Sequence, residues 1–271
     1  ELAAKLRHLM RNERITADRL NGYVHIHFLD DDDEKLSYIV EFNQKIEPDW
    51  HIFIVLNLPK QMDPAVLEAR LADQNKLGVA FPELTPHVGD SIRTENFSAY
   101  FEEYATGEKL SSLMKKREFD EEKLKQTVQG LMQMYQALGY LSTDLRPKNI
   151  LLVNQGKENQ HVLFTDLQPL SVSRPHQILE KMNRYYGGQK LSGKGLFRKS
   201  KQENPRDIIF AEILSTLGAK DGRRFLQRAL KKLNDDLSEM KDPALGKEPD
   251  DRLLNLTKDL NFFLNRPQAL Q

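Results

Sequence analysis

The sequence predicts an α+β fold in two unequal lobes, a small strand-rich lobe over residues 1–104 and a larger helical lobe over 105–271. In the first third of the chain, apolar residues recur at every second position, which is the period of a half-buried strand. In the remainder they recur every three to four positions, as in an amphipathic helix. A chain of 271 residues is long enough to bury one large hydrophobic core or two smaller ones.

The composition excludes several functional classes. The chain has 40 Lys and Arg and 40 Asp and Glu, so its formal net charge is zero, whereas a protein that binds nucleic acid usually carries a basic surface. It has no cysteine, which excludes disulfides and thiolate sites and favours a reducing, cytoplasmic location. The longest apolar run, Ile52–Leu56, is far shorter than the roughly 20 residues of a membrane-spanning helix.

In the small lobe, the pattern predicts a short N-terminal helix, antiparallel strands and one longer helix. The first helix covers residues 1–15, with leucines on one face. Strand patterns follow over 24–28, 36–42, 51–57 and 97–104, and the acidic turn Asp30–Lys35 joins the first two. The longer helix is predicted from residues typical of helix ends, since Asp63 can cap it, Pro64 suits its first turn and Gly78 can end it.

In the large lobe, the clearest helix has Asp120 as its predicted cap and Gly139 as its predicted end. Two short apolar strands, Ile150–Val153 and His161–Phe164, follow it. Residues 167–204 show no period and are rich in Ser, Gly, Lys and Arg, so a long basic loop is predicted there. The remaining helices are predicted over 208–217, which is apolar almost all round, and near 221–240 and 250–264.

Three oxygen-bearing side chains mark the candidate site. Asp144 follows the helix that ends at Gly139, Asn149 stands just before a strand, and Asp166 ends the next strand. Phosphoryl transfer needs a carboxylate that orients and deprotonates the attacking hydroxyl, together with ligands for the metal on the phosphates. Carboxylate and amide oxygens are ligands that Mg²⁺ prefers. This pattern therefore indicates a phosphotransferase site.

These residues lie in segments that resemble the protein kinase-like superfamily, which includes protein kinases and aminoglycoside-type kinases. Residues 142–152, STDLRPKNILL, resemble the catalytic loop H-x-D-L-x-P-x-N-I-L-L, and 164–168, FTDLQ, resemble the D-F-G region. The resemblance implies a two-lobed kinase-like fold. It also implies that Asp144 is the catalytic base and that Asn149 and Asp166 bind Mg²⁺ or Mn²⁺ carrying ATP.

The resemblance extends to residues on either side of these segments. It implies that the backbone of Glu103 and Ala105 binds the adenine, and that Glu68 lies on the helix whose Glu normally pairs with a strand lysine. It gives Arg146 the role of neutralising the transferred phosphoryl group. It also implies that Asp207, at the start of a buried helix, ties down the catalytic loop.

The sequence also departs from the family at the phosphate-binding positions. Kinases carry a Lys in the third strand, but residues 51–57 contain none, so that strand offers no lysine for Glu68. No glycine occurs between Gly22 and Gly78, although a backbone cradle around phosphates normally needs glycine. The predicted turn there instead carries the four aspartates Asp30–Asp33, whose charges repel a triphosphate.

Two further departures concern Ser142, which stands where the family has His, and Glu102, an acid at the position that guards the adenine pocket. The leading expectation is an atypical kinase that phosphorylates a serine or threonine hydroxyl of a protein, rather than a small molecule. The alternatives are a pseudokinase that binds or regulates a partner, and an enzyme of this fold that transfers another part of ATP.

Overall fold

The computed structural model describes residues 24–31, 35–42, 53–59, 64–86, 88–93, 98–142, 145–165, 170–192, 204–240 and 250–266. The chain divides into two compact units, residues 1–106 and 107–271, here called unit 1 and unit 2. The helix predicted over 1–15 and the cap Asp63 lie outside the described residues. The two-lobed arrangement of 1–104 and 105–271 stays a prediction.

Unit 1 contains a five-stranded antiparallel sheet in the order β1-β2-β3-β5-β4. Its strands are β1 (Val24–Asp31), β2 (Lys35–Phe42), β3 (Phe53–Pro59), β4 (Val88–Arg93) and β5 (Ser98–Glu103). The strand predictions are confirmed, with one correction at the acidic turn. Asp30 and Asp31 belong to β1, where they pair with Ser37 and Leu36 beyond a register shift between Phe28 and Asp30.

One helix, α1 (Pro64–Ala80), connects β3 to β4. It begins at Pro64 as predicted, but the prediction that Gly78 ends it is wrong. Phe81 still donates its amide to the Leu77 carbonyl at 2.7 Å, and a glycine inside a helix costs only about 1 kcal/mol relative to alanine. Leu67 and Leu71 pack with Tyr100 of β5 in a small buried cluster, and so attach the helix to the sheet.

Unit 2 is mostly helical, with two small sheets. Its helices are α2 (Leu110–Lys116), α3 (Glu121–Leu138), α4 (Pro175–Met182), α5 (Pro205–Leu217), α6 (Ala219–Met240) and α7 (Asp251–Asn265). Its strands are β6 (Glu108–Lys109), β7 (Leu141–Ser142), β8 (Ile150–Val153), β9 (His161–Phe164) and β10 (Leu170–Val172), arranged as β6-β8-β9 and β7-β10.

The predicted caps of α3 are confirmed. The Asp120 carboxylate accepts a hydrogen bond from the Lys123 amide at 3.0 Å, and Gly139 ends the helix with a φ of 80°, where glycine carries no Cβ penalty. Asp120 also forms a buried ion pair with the Lys123 ammonium at 2.6 Å. These contacts fix both ends of the helix that leads into the candidate site.

The prediction of a loop over residues 167–204 is wrong for the first half of that range. Residues 170–172 form β10, 175–182 form α4, and 183–187 form one π-helical turn. Ile178, Leu179 and Met182 are fully buried, so packing stabilises a helix too short to show a period in the sequence. Residues 193–203 lie outside the described residues.

The later helices follow the sequence closely. α5 buries Ile208, Ile209, Phe210 and Ile213, as its apolar composition predicts. Among the helices that the structure describes, none is long and apolar enough to cross a membrane.

Candidate functional site

The structure describes residues of the candidate catalytic loop on both sides of Asp144. Asp144 lies outside the described residues, as does Asp166. Arg146 is exposed, and Asn149 is buried at the end of a 3₁₀ turn, Pro147–Asn149. Arg146 is extended, with a φ of −67° and a ψ of 143°, because the residue before a proline is kept out of the helical region. Pro147 then begins the turn that delivers Asn149 to the start of β8.

Asn149 is joined through its backbone to the end of β9. Its carbonyl accepts the amide of Thr165 at 2.9 Å and the hydroxyl of Thr165 at 3.1 Å. β8 and β9 are antiparallel, with Ile150 opposite Phe164, so the amide bond extends the ladder by one residue on each strand, and the hydroxyl bond reinforces it. Thr165 directly precedes Asp166 in the chain. The described residues thus bring Asn149 against the residue next to the second candidate metal ligand.

A second pairing holds the other ends of the same two segments. β7 pairs with β10, with Ser142 opposite Leu170 and Leu141 opposite Val172. Ser142 lies two residues before Asp144, and Leu170 lies four residues after Asp166. The segment that contains Asp144 and the segment that contains Asp166 are therefore each flanked by one residue of the pair Ser142–Leu170.

Tyr186 also contacts the loop. No motif in the sequence marks this residue. Its hydroxyl donates a hydrogen bond to the backbone carbonyl of Leu145 at 2.9 Å. Tyr186 has no exposed surface, and Leu145 is 2 % exposed. The only available signal was a pair of tyrosines before two glycines, 185–188, in a segment with no recognisable period.

Asp207 does not contact the described part of the loop. Its carboxylate accepts a hydrogen bond from the Arg266 guanidinium at 2.9 Å, which ties α5 to the end of α7. Arg266 also lies over the Phe262 ring, 4.5 Å from its centre. The prediction that Asp207 ties down the catalytic loop stays a prediction, since residues 143 and 144 lie outside the described residues.

The nucleotide-binding candidates Glu68, Glu103 and Ala105 belong to unit 1. Glu68 is exposed on α1. Glu103 is exposed at the end of β5, opposite Ile54, and Ala105, two residues later, is half-buried. The β3 segment opposite β5 reads FIVLNLP, with no lysine.

Glu102 is buried and bonded within unit 1. Its carboxylate accepts a hydrogen bond from the Gln74 side-chain amide at 2.8 Å, and the same nitrogen lies 3.3 Å from the Pro86 carbonyl. Gln74 is itself 2 % exposed. The acid that the resemblance places at the adenine pocket is thus held by the helix α1.

The described part of the chain contains no group of three or more His, Asp or Glu side chains that would bind a metal ion. The assignment of the Asn149 amide oxygen and the Asp166 carboxylate as metal ligands stays a prediction, since Asp166 lies outside the described residues. Both are hard oxygen donors, which suits Mg²⁺ or Mn²⁺ rather than a softer metal.

Comparison with known proteins yields structural matches alone. No protein-family model and no curated protein sequence matches the chain. The kinase domain of PknI from Mycobacterium tuberculosis aligns with 89 % of this chain and 96 % of its own length, at 13 % identity and a TM-score of 0.45. A cysteine-to-alanine mutant of the same domain aligns with 89 % of this chain and 95 % of its own, with the same identity and TM-score. Similarity at this level does not assign an activity, so the activity has to be inferred from this chain's own residues.

Proposed function

We propose that this chain is an atypical member of the protein kinase-like superfamily. It binds ATP with Mg²⁺ or Mn²⁺ and transfers the terminal phosphoryl group to a serine or threonine hydroxyl of a protein in the cytoplasm. The observation that supports this most strongly is the double hydrogen bond from Thr165 to the Asn149 carbonyl. It joins two segments that the sequence independently suggests as metal-binding.

Chain connectivity limits how far the metal ligands can separate. Thr165 is bonded to Asn149 at 2.9 Å, and the Cα of Asp166 follows that of Thr165 by about 3.8 Å. An Asn and an Asp on adjacent strand ends can then supply an amide and a carboxylate oxygen to one ion. When bound, the metal neutralises the phosphates of ATP; the protein supplies the ligands and their spacing.

The proposed role of Asp144 follows from its place in the loop. It lies between two buried residues, Ser142 and Leu145, of which the first is paired to β10 and the second is bonded to Tyr186. A carboxylate held at such a position can orient an acceptor hydroxyl and take its proton. Arg146 is exposed two residues later, and its guanidinium suits the charge on a transferred phosphoryl group.

The nucleotide would be bound by unit 1. The backbone groups of Glu103 and Ala105, at and just beyond the end of β5, are proposed to hydrogen-bond the adenine. Glu68 is proposed as a residue of the nucleotide site because α1 follows β3 in the chain, as the corresponding helix does in the family. The antiparallel sheet of unit 1, together with the helix α1 that connects β3 to β4, supports this assignment.

A second candidate function is a pseudokinase that binds a partner protein without turnover. The observation that favours it is the absence of a lysine from β3 together with an exposed Glu68 on α1. A kinase normally uses that lysine to hold two phosphates of ATP. The chain would then keep Asn149 and Asp166 for passive nucleotide binding or for structure.

The experiment that separates these functions measures ATP consumption by the purified protein with Mg²⁺ or Mn²⁺. Consumption should stop in Asp144→Asn and in Asp166→Asn, because each change removes a carboxylate of the proposed site. Asp221→Asn is the matched control, since its side chain is 72 % exposed on α6, and it should retain full activity. Turnover that survives both site changes would overturn the assigned roles, and a wild-type protein without turnover would favour the pseudokinase.

A further inference from the structure

We infer that Tyr186 is the positioning residue of the loop that carries Asp144. Its phenolic hydroxyl fixes the Leu145 carbonyl, one peptide unit beyond Asp144, at 2.9 Å. The inference rests on the proposed function for its catalytic meaning, whereas the anchoring contact is present in the structure itself.

The hydroxyl can act as an anchor because the tyrosine ring is fixed by packing. Tyr186 has no exposed surface. Its ring centre lies 6.4 Å from that of Phe119, just before α3, and 6.2 Å from that of Tyr185. Phe119 is itself buried. A buried tyrosine hydroxyl normally requires a hydrogen-bond partner, and here that partner is a backbone carbonyl of the loop.

Tyr186 belongs to the π-helical turn Asn183–Gly187, which the surrounding helices hold in place. The Asn183 side-chain oxygen accepts a hydrogen bond from the Arg206 guanidinium at 2.7 Å. Its amide nitrogen lies 3.5 Å from the Arg252 carbonyl at the start of α7. This turn follows the C-terminal end of α4 and is attached to two separate helices, α5 and α7.

Arg206 extends these contacts to α7. Its guanidinium forms an ion pair with Asp259 at 2.8 Å, and the Asn204 side-chain amide donates to the same carboxylate at 3.2 Å. A continuous series of contacts therefore runs from Asp259 through Arg206 and Asn183 to the turn that carries Tyr186. The loop carbonyl is thus bonded to a part of unit 2 that is held at several points.

In the described part of the chain the loop is also attached on either side of Leu145, and Tyr186 supplies the contact that directly follows Asp144. Ser142 is paired with Leu170 on the N-terminal side, and Asn149 is bonded to Thr165 farther along. A catalytic group displaced by about 1 Å can lose on the order of 10²-fold in rate, so this contact bears on turnover rather than on nucleotide binding.

The test compares Tyr186→Phe with Tyr185→Phe in the full chain. Tyr186→Phe keeps the buried ring and removes the hydroxyl, so kcat should fall by roughly 10- to 100-fold, while the KM for ATP should stay unchanged. Tyr185→Phe removes a hydroxyl from the half-buried neighbouring ring and should leave kcat unchanged. Equal kcat values in the two variants, or a matching rise in KM, would overturn the inference.

Hydrogen–deuterium exchange of the same variants gives a readout that needs no turnover. Faster exchange confined to peptides that cover residues 143–149 is expected in Tyr186→Phe but not in Tyr185→Phe. Equal exchange in both variants would overturn the anchoring role. If the wild-type protein consumes no ATP, the proposed function fails, and the exchange result still decides whether Tyr186 anchors the loop.

Discussion

The backbone carbonyl of Asn149 accepts two hydrogen bonds from Thr165, one from the amide at 2.9 Å and one from the side-chain hydroxyl at 3.1 Å. The two residues are 16 positions apart and lie at the adjoining ends of β8 and β9. This contact brings together the two segments proposed to bind the metal. A substitution at Thr165 can remove the hydroxyl bond without altering the backbone.

Thr165→Val keeps the shape of the side chain and deletes the hydroxyl bond to the Asn149 carbonyl. The free energy of unfolding should fall by about 1 kcal/mol, the usual worth of one such hydrogen bond. The concentration of Mg²⁺ needed for half-maximal ATP consumption should rise, because the ends of β8 and β9 become less firmly held. Chemical denaturation and a metal titration measure the two effects.

Thr257→Val provides the control for that change. The Thr257 hydroxyl donates to the Leu253 carbonyl at 2.8 Å within α7, so its removal should cost a similar amount of stability. The Mg²⁺ requirement should not change. An equal shift of the requirement in both variants would show that lost stability, rather than the metal site, explains the effect of Thr165→Val.

Gly187→Ala should disrupt the turn that carries Tyr186. A Cβ at this position would collide with the side-chain oxygen of Asn183 and lie 3.4 Å from Arg206, so the bond between those two residues must be displaced. Overpacking of this kind typically costs about 1–3 kcal/mol, and thermal unfolding followed by circular dichroism should show a lower Tm. Gly188→Ala, at a position with no atom within 4 Å and a φ of −106°, should leave Tm almost unchanged. A Tm loss of the same size in both variants would contradict this account.

Gln74→Met should destabilise unit 1. It removes the 2.8 Å hydrogen bond to the buried Glu102 carboxylate, and a hydrogen bond to a charged group contributes about 1.5–3 kcal/mol. Urea unfolding followed by circular dichroism measures the loss. The neighbouring exposed residue gives the control, and Asn75→Ala should change stability by less than about 0.5 kcal/mol. A variant as stable as the wild type would mean that Gln74 does not stabilise Glu102.

Glu180→Gln should stabilise the protein at neutral pH. Burial, and then the nearby carboxylate of Asp236, raise the pKa of Glu180 above its ordinary value of 4.5, against the opposing charge of Arg184. The folded state therefore binds a proton more tightly than the unfolded state, and the stability present below pH 4.5 is lost as pH rises through the raised pKa. The Tm advantage of the variant should be largest near pH 7 and should shrink toward pH 4. An advantage that does not depend on pH would contradict this cause.

The local features of the fold could be predicted where the sequence carries local signals. The start and end of α3 followed from Asp120 and Gly139, and the strands β8 and β9 followed from their apolar runs. The helix α4 could not be recognised, because it has only eight residues and depends on the burial of Ile178, Leu179 and Met182 against the rest of unit 2. β10 depends in the same way on its pairing with β7, from which it is separated by the whole candidate site.

In the candidate site too, the sequence could predict which residue types matter but not which partners they bind. The sequence alone could suggest Asn149 as a metal ligand, since the spacing of Asp144, Asn149 and Asp166 is a local pattern. It could not identify the bond between Asp207 and Arg266, or the contact of Tyr186 with Leu145. These pairs are 59 and 41 residues apart, and tertiary packing alone brings them together.

The most direct test of the central claim is ATP binding with and without divalent metal, followed by mass analysis of the products. The account predicts that ATP raises Tm when Mg²⁺ or Mn²⁺ is present, and that the Asp166→Asn variant loses this effect. It predicts that ATP becomes ADP while a protein hydroxyl gains a phosphoryl group. Binding that needs no metal, or transfer of the nucleotidyl group in place of the phosphoryl group, would contradict it.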